Sequence, residues 1–346
     1  MIKKINKCRL CNDTSLKLIW ELEKSPIGDN YTKKKNNSKL YPLSLNQCNT
    51  CKFVQLSHYI DEKIVYGEYL YVTNTSVGLK KHFEKNFKIN NQLCKFKNNI
   101  LDIGSNDGSN LEIYKKNKFN VVGIEPAKKI AKLANQKSIK TYNSFFNLKS
   151  RKILKEKYKS FDLITVYNLA ANIEKFSSFI DNIKSLMHDK TILNIETFSW
   201  AGIIYKNLID NIYHEHISYF HIGSLNKFFK KKNLEIIRAE YNNSKGSSLL
   251  LHIAKSKSYN VQRNKIKRGL AYEKKIKLNS SSVANSVIEK NQKIKIKINK
   301  ILKKIKVDNV IVGFGASCGT TTLLTYFGIY KYIDFLVDDE KLRHKL

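Results

Sequence analysis

The stretch Ile100-Leu101-Asp102-Ile103-Gly104-Ser105-Asn106-Asp107-Gly108-Ser109 runs from a short apolar strand into a polar loop bracketed by glycines. Leu111 to Lys116 continues it as a helix. Val121-Val122-Gly123-Ile124-Glu125 then reads as a second strand and Ala127 to Gln136 as a second helix. Strand, glycine loop, helix and strand in this order open a parallel α/β sheet. The pattern continues through strands at 161–166, 191–195, 234–237 and 249–254, with helices at 176–187 and 225–232, predicting six or seven strands. Upstream, Phe53 to Leu56 reads as a short strand and Leu79 to Phe96 as a basic amphipathic helix.

The loop also carries the first chemistry. Glycines permit a tight turn and close backbone approach to a ligand, and the helix that follows presents free N–H groups. Glu125 lies 21 positions after Gly104, where an acid at the end of the second strand can accept hydrogen bonds from both ribose hydroxyls. That spacing alone serves a dinucleotide or S-adenosylmethionine. Asp102 and Asp107 favour the second, because they would repel a pyrophosphate, whereas S-adenosylmethionine has no phosphate and carries a sulfonium and an ammonium.

Six cysteines are present, and four form two C-x-x-C pairs, Cys8/Cys11 and Cys48/Cys51. Two such knuckles can close a tetrahedral Cys₄ zinc shell, which has no open position and is therefore structural. A redox C-x-x-C explains one pair but not two. The long segment between the knuckles predicts a ribbon with an insertion. Cys94 and Cys318 read as packed thiols.

The balance of 63 Lys+Arg against 29 Asp+Glu gives a net charge of +34, and 42% of residues are hydrophobic. This composition excludes a mainly disordered chain. No apolar run approaches the ~20 residues that span a bilayer, and the first residues lack a signal-peptide core, so a cytoplasmic protein without membrane contact is expected. The charge invites a nucleic-acid partner. Only six of the basic residues are arginine, however, and lysine without arginine is a poor signature of specific base or phosphate readout. Residues 255–306 hold 17 basic and two acidic residues, with apolar positions at helical spacing. A long, basic connecting helix is expected there, although Ile294 to Ile298 also alternates like a strand. A second α/β signal opens at Asn309-Val310-Ile311-Val312-Gly313-Phe314-Gly315-Ala316-Ser317-Cys318-Gly319, with its next strand at Ile333 to Asp338.

Ile103-Gly104-Ser105-Asn106-Asp107-Gly108, Gly123-Ile124-Glu125-Pro126-Ala127 and Ile212-Tyr213-His214-Glu215-His216-Ile217-Ser218-Tyr219-Phe220 together resemble the three-domain S-adenosylmethionine-dependent sugar C-methyltransferases. The resemblance implies a zinc-binding ribbon over 1–75 and a class I (Rossmann-like) methyltransferase domain over 76–255. A basic linker helix with a partial, truncated Rossmann-like α/β domain would fill 256–346. It further implies methylation of a carbon next to a ketone on a nucleotide-linked deoxysugar. S-adenosylmethionine would be held by Asp102, Gly104, Asn106, Asp107, Gly108, Glu125, Pro126 and Asn168, and zinc by Cys8, Cys11, Cys48 and Cys51.

Methyl transfer to carbon requires a base and a group that stabilises the enolate oxygen. By the resemblance His216 is the base, Glu215 assists it, and Tyr213 and His214 complete the motif. A polar turn with two surface histidines is the competing reading. Tyr69 and Tyr71 match positions that the family places near substrate. The chain departs from the family pattern at Asn172, where a histidine is usual, and at Lys245-Gly246-Ser247-Ser248. Two other functions fit parts of the sequence. One is an RNA methyltransferase, from zinc ribbon plus charge; the other is a degenerate S-adenosylmethionine-binding protein, from Asn172 and the short C-terminus. The expected partner is a nucleotide sugar, with no nucleic acid and a monomer or homodimer.

Overall fold

The computed structural model describes residues 2–28, 39–61, 64, 73, 78–95 and 98–339. Tyr69 and Tyr71 lie outside the described residues. The chain forms two compact units, one of 1–70, 200–219 and 274–346, the other of 71–199 and 220–273. The first unit therefore draws on all three of the consecutive segments read from the sequence.

At the N-terminus, β1 (Ile2–Lys4) pairs antiparallel with β5 (His58–Ile60). Between the cysteine knuckles, β2 (Leu16–Ser25) and β3 (Tyr41–Cys48) form a long antiparallel pair, and β3 continues to β4 (Val54–Leu56). The insertion expected between the knuckles is this ribbon. Trp20, Leu22, Leu43 and Leu45 are buried along it, the inward positions of strands with one apolar face.

The second unit begins with α1 (Leu79–Leu93), β6 (Asn99–Ile103), α2 (Ser109–Lys116) and β7 (Asn120–Ile124). It continues with α3 (Lys128–Gln136), β8 (Thr141–Tyr142), α4 (Leu148–Tyr158), β9 (Phe161–Tyr167), α5 (Phe176–Lys184) and β10 (Met187–Phe198). The expected helix over 176–187 is thus shorter at its end. Ser185 caps it, and the apolar Met187 starts the next strand.

The first unit then adds α6 (Trp200–Lys206) and β11 (Ser218–Tyr219). β11 pairs with β4, completing a sheet of order β11-β4-β3-β2. The second unit closes with α7 (Ile222–Lys231), β12 (Leu234–Asn242), β13 (Ser248–Lys255) and α8 (Arg263–Lys275).

The resulting seven-stranded sheet has the order β12-β13-β10-β9-β6-β7-β8. Its five central and outer strands β10, β9, β6, β7 and β8 are parallel, and the β12–β13 pair is antiparallel. The order reverses between β6 and β9, and ligands bind outside the carboxyl ends of strands at such a switch point. All seven residues of β9 are buried, as expected for a central parallel strand covered on both faces.

Within this unit Glu273 of α8 is 3% exposed and closes the start of α7. It accepts from the backbone N–H groups of Ile222 (2.5 Å) and Gly223 (3.1 Å), from the Tyr241 hydroxyl (2.5 Å) and from His221 Nδ1 (3.3 Å). Burial pushes its carboxyl up, but these donors and the His221 charge outweigh burial and hold it below the ordinary glutamate range. A depressed pKa contributes stability above the unfolded value, near 4.3, that is lost as the pH falls. Glu273→Gln is expected to cost about 2 kcal/mol at neutral pH. In paired urea melts the gap between wild type and variant should close as the pH drops below 4; a pH-independent gap would refute the charge argument.

The first unit ends with α9 (Asn285–Ile305), β14 (Val312–Phe314), α10 (Cys318–Phe327) and β15 (Phe335–Val337). The stretch 294–298 is helical, because Val287 and Asn291 bury one stripe of α9 and its lysines take the solvent side. β14 and β15 are parallel and joined through α10, a single βαβ unit. No helix among the described residues is long and apolar enough to cross a membrane.

Candidate active site and zinc centre

The glycine loop joins β6 to α2 at the switch point. Gly104 (φ 75°) and Gly108 (φ 77°) take the left-handed conformation, and a Cβ on Gly104 would sit 2.9 Å from the Leu169 side chain. Gly104 and Gly108 are therefore required by backbone geometry.

Glu125, 4% exposed, accepts from the Asn106 N–H (3.1 Å) and the Ala127 N–H (2.9 Å), so it ties the loop to the end of β7. Burial raises its carboxyl pKa, and these two backbone donors oppose the rise. Pro126 follows directly, its carbonyl accepting from Asn143 Nδ2 at 2.7 Å.

Asp102 is buried behind the loop, where it accepts from Thr165 Oγ1 (2.7 Å) and Asn110 Nδ2 (3.1 Å), and burial pushes its carboxyl up to about 6. Asp107 binds Lys137 Nζ at 2.9 Å and accepts from Ser109 N and Oγ, closing the start of α2. Both acids are engaged by the protein.

Asn168 follows β9 in the left-handed conformation (φ 55°). The Ser105 hydroxyl and Asn168 Oδ1 are buried without a hydrogen-bond partner among the described residues. Burying such groups is costly, so polar atoms left open around a glycine loop fit a site whose ligand completes them. An S-adenosyl ligand, rich in ribose and amino-acid donors, suits that set.

The Tyr213-His214-Glu215-His216 motif lies in the loop between α6 and β11. His216 is 2% exposed. Its Nδ1 lies 2.9 Å from the Asn211 carbonyl, which can only accept, so Nδ1 carries the proton. Nε2 then bears the lone pair and accepts the Tyr213 hydroxyl at 2.7 Å, with the two rings 3.9 Å apart. The nitrogen that a carboxylate would orient is held by a main-chain carbonyl. Glu215 instead accepts from the Cys318 thiol at 3.3 Å.

His214 is 4% exposed and packs edge-on to Tyr41; burial lowers its pKa to about 4, so it is neutral. Both histidines are interior groups. Asn172 ends a short turn, Ala170–Asn172, after β9. The Asn211 carbonyl and Cys318 were missed in the sequence because a main-chain acceptor and a thiol 103 positions away leave no motif.

The four cysteines converge. Their sulfurs lie within 4.8 Å of one another, with Cys8–Cys51 at 3.4 Å and Cys11–Cys48 at 3.6 Å. A tetrahedral zinc with bonds of about 2.3 Å needs sulfurs roughly 3.8 Å apart, which this cluster meets. The hydrogen bond to Cys51 and burial push the Cys8 thiol well up, and burial pushes Cys11 up to about 11. A bound cation favours the thiolate form that ligation requires.

Comparison with known proteins agrees. A family described as a putative zinc binding domain matches residues 8–66, a methyltransferase domain matches 78–239, and a C-methyltransferase C-terminal domain matches 243–346. The chain thus carries, in order, a zinc-binding domain, a methyltransferase domain and a C-methyltransferase C-terminal domain. It is 21% identical over 350 residues to the C-methyltransferase NovU of Streptomyces niveus, covering 99% of this chain and 83% of that protein. It is accordingly an S-adenosylmethionine-dependent methyltransferase with a structural zinc centre. Solved structures similar to it include a Pyrococcus horikoshii OT3 protein (TM-score 0.45, 13% identity, 57% of this chain and 100% of that one). Another is the magnesium protoporphyrin IX methyltransferase of Synechocystis PCC 6803 (TM-score 0.40, 16% identity, 52% and 84%).

Proposed function

We propose that this C-methyltransferase methylates a carbon next to a ketone on a nucleotide-linked deoxysugar, in the cytoplasm. The observation that carries the reading is the setting of His216: with Nδ1 against the Asn211 carbonyl, the neutral ring is assigned its lone pair on Nε2 beside the Tyr213 hydroxyl, the nitrogen that can take a proton. Bound S-adenosylmethionine supplies an electrophilic methyl on a sulfonium. The Gly104–Gly108 loop, Glu125 and Asn168 would hold it through backbone and ribose contacts, with Asp102 and Asp107 shaping the loop from behind. His216 takes the α proton, its electron pair passing to the carbonyl oxygen. Tyr213 keeps the ring placed and Glu215 stiffens the loop through Cys318. Residues 1–75, 76–255 and 256–346 would then serve as zinc-binding, methyl-donor and C-terminal domains.

Incubation with methyl-labelled S-adenosylmethionine, a panel of nucleotide keto-deoxysugars and total RNA tests this. Label is expected in a nucleotide sugar only. Label confined to RNA would overturn the substrate class, and tight cofactor binding without transfer to any acceptor would mark a binding protein.

A further inference from the structure

Another histidine–carboxylate pair, His82 and Glu196, lies in the methyltransferase unit, apart from every motif discussed above. Glu196 stands near the carboxyl end of β10, fully buried. His82 Nε2 of α1 lies 2.8 and 2.6 Å from its two oxygens, Asn86 Nδ2 donates at 3.1 Å, and Asn242 Nδ2 of β12 donates at 2.8 Å. The two asparagine amides donate through their nitrogens, so the carboxylate oxygens act as acceptors and His82 Nε2 faces them as a donor, with Asn86 Nδ2 also 3.2 Å from that nitrogen. α1 is pinned in place by Phe83, which stacks on Tyr167 of β9 at 5.7 Å.

The pair opens on a cavity lined by His82, Lys85, Glu240, Tyr241, Asn242 and Ser244. Glu196 is in register with Tyr167, and the N–H of Asn168 donates to the Glu196 carbonyl at 2.8 Å. The dyad therefore stands at the same carboxyl edge as the glycine loop, two strands along the sheet. A carboxylate that holds one imidazole nitrogen of a cavity-lining histidine is the arrangement that orients proton-handling histidines.

We propose that His82, positioned by Glu196, donates a hydrogen bond from Nδ1 to the acceptor oxygen that takes up negative charge during methyl transfer. The inference rests on the function proposed above. As the reaction's base removes the α proton, the C–H electron pair moves to the carbonyl oxygen, and the Nδ1–H of His82 steadies that charge. The carbon then attacks the methyl, the S–CH₃ pair stays on sulfur, the carbonyl re-forms and His82 keeps its protons. Glu196 is the positioning residue. Charged or titratable groups facing the ring are Glu196 from β10, Lys85 from α1, and Glu240 and Tyr241 from β12.

The test is exchange of the acceptor's α proton into D₂O, followed by NMR with S-adenosylhomocysteine bound and a thymidine diphosphate-linked keto-deoxysugar as probe. Methyl transfer is measured in parallel. His82→Gln should slow exchange by roughly 10²-fold and leave S-adenosylhomocysteine affinity unchanged. Glu196→Gln should lower kcat for transfer by a smaller factor, with KM for the acceptor unchanged. Should Glu196→Gln fail to fold, His82→Gln carries the test alone. Wild-type exchange and transfer in His82→Gln would overturn this proposal and leave the substrate reading intact. Lost S-adenosylhomocysteine binding in that variant would show a structural role and overturn it as well. Neither exchange nor transfer in the wild type, with this acceptor or with the wider panel, would overturn both.

Discussion

Stripping the zinc, by chelation or by Cys48→Ser, is expected to stop methyl transfer while S-adenosylhomocysteine still binds. The reason lies in how the first unit is stitched. Arg9, between the first pair of ligands, donates its N–H to Gln55 Oε1 (2.9 Å) and its Nε to Ser218 Oγ (3.2 Å). β4, three residues after Cys51, pairs with β11 through Ser218↔Gln55 and Tyr219↔Val54, and the Leu56 N–H donates to the Ile217 carbonyl. Ile217 directly follows His216. Loss of the metal therefore unpins the strand that holds the base motif, whereas the glycine loop sits in a sheet of its own. Zinc bound to four thiolates supplies about 10 kcal/mol or more of folding free energy in small domains, more than a short ribbon retains otherwise. Isothermal titration with S-adenosylhomocysteine beside a transfer assay checks this. A metal-free protein with full turnover would refute it, and loss of ligand binding would show that the two units are not independent.

The parts legible in the sequence are those where one short segment carries its own reason. The switch-point loop announces itself because two glycines at positive φ and an acid at the end of the next strand must recur at fixed spacing. The zinc centre does so because two C-x-x-C turns are locally built and need only meet. What stayed hidden depends on residues far apart in the chain. His82 and Glu196 are separated by 114 positions, and nothing in α1 or β10 alone says that they touch. The setting of His216 makes a related point: adjacency in sequence suggests Glu215 as its partner, whereas the carbonyl at Nδ1 belongs to Asn211, five positions back. Likewise the acids read as repelling a pyrophosphate are engaged by Thr165, Asn110 and Lys137, partners that only the assembled sheet and helices supply.

His216→Ala should lower turnover by roughly 10³-fold, with cofactor affinity unchanged. General-base catalysis requires a nitrogen with a free lone pair shielded from bulk water, and in the neutral ring the Asn211 carbonyl leaves that role to the buried Nε2 of His216. His216→Asn would keep a donor toward the Asn211 carbonyl yet lack the basic nitrogen, so it should be as inactive as alanine. That outcome separates proton transfer from packing. Tyr213→Phe removes only the hydroxyl that lines Nε2 and should cost about 10-fold, mostly in kcat. His214→Gln, at a site made neutral by burial, should act on stability more than on rate. Steady-state kinetics with the labelled cofactor decide among these. Were His214→Gln to abolish turnover while His216→Asn stayed active, the base would be the other histidine. The tautomer argument would then fail at its first step.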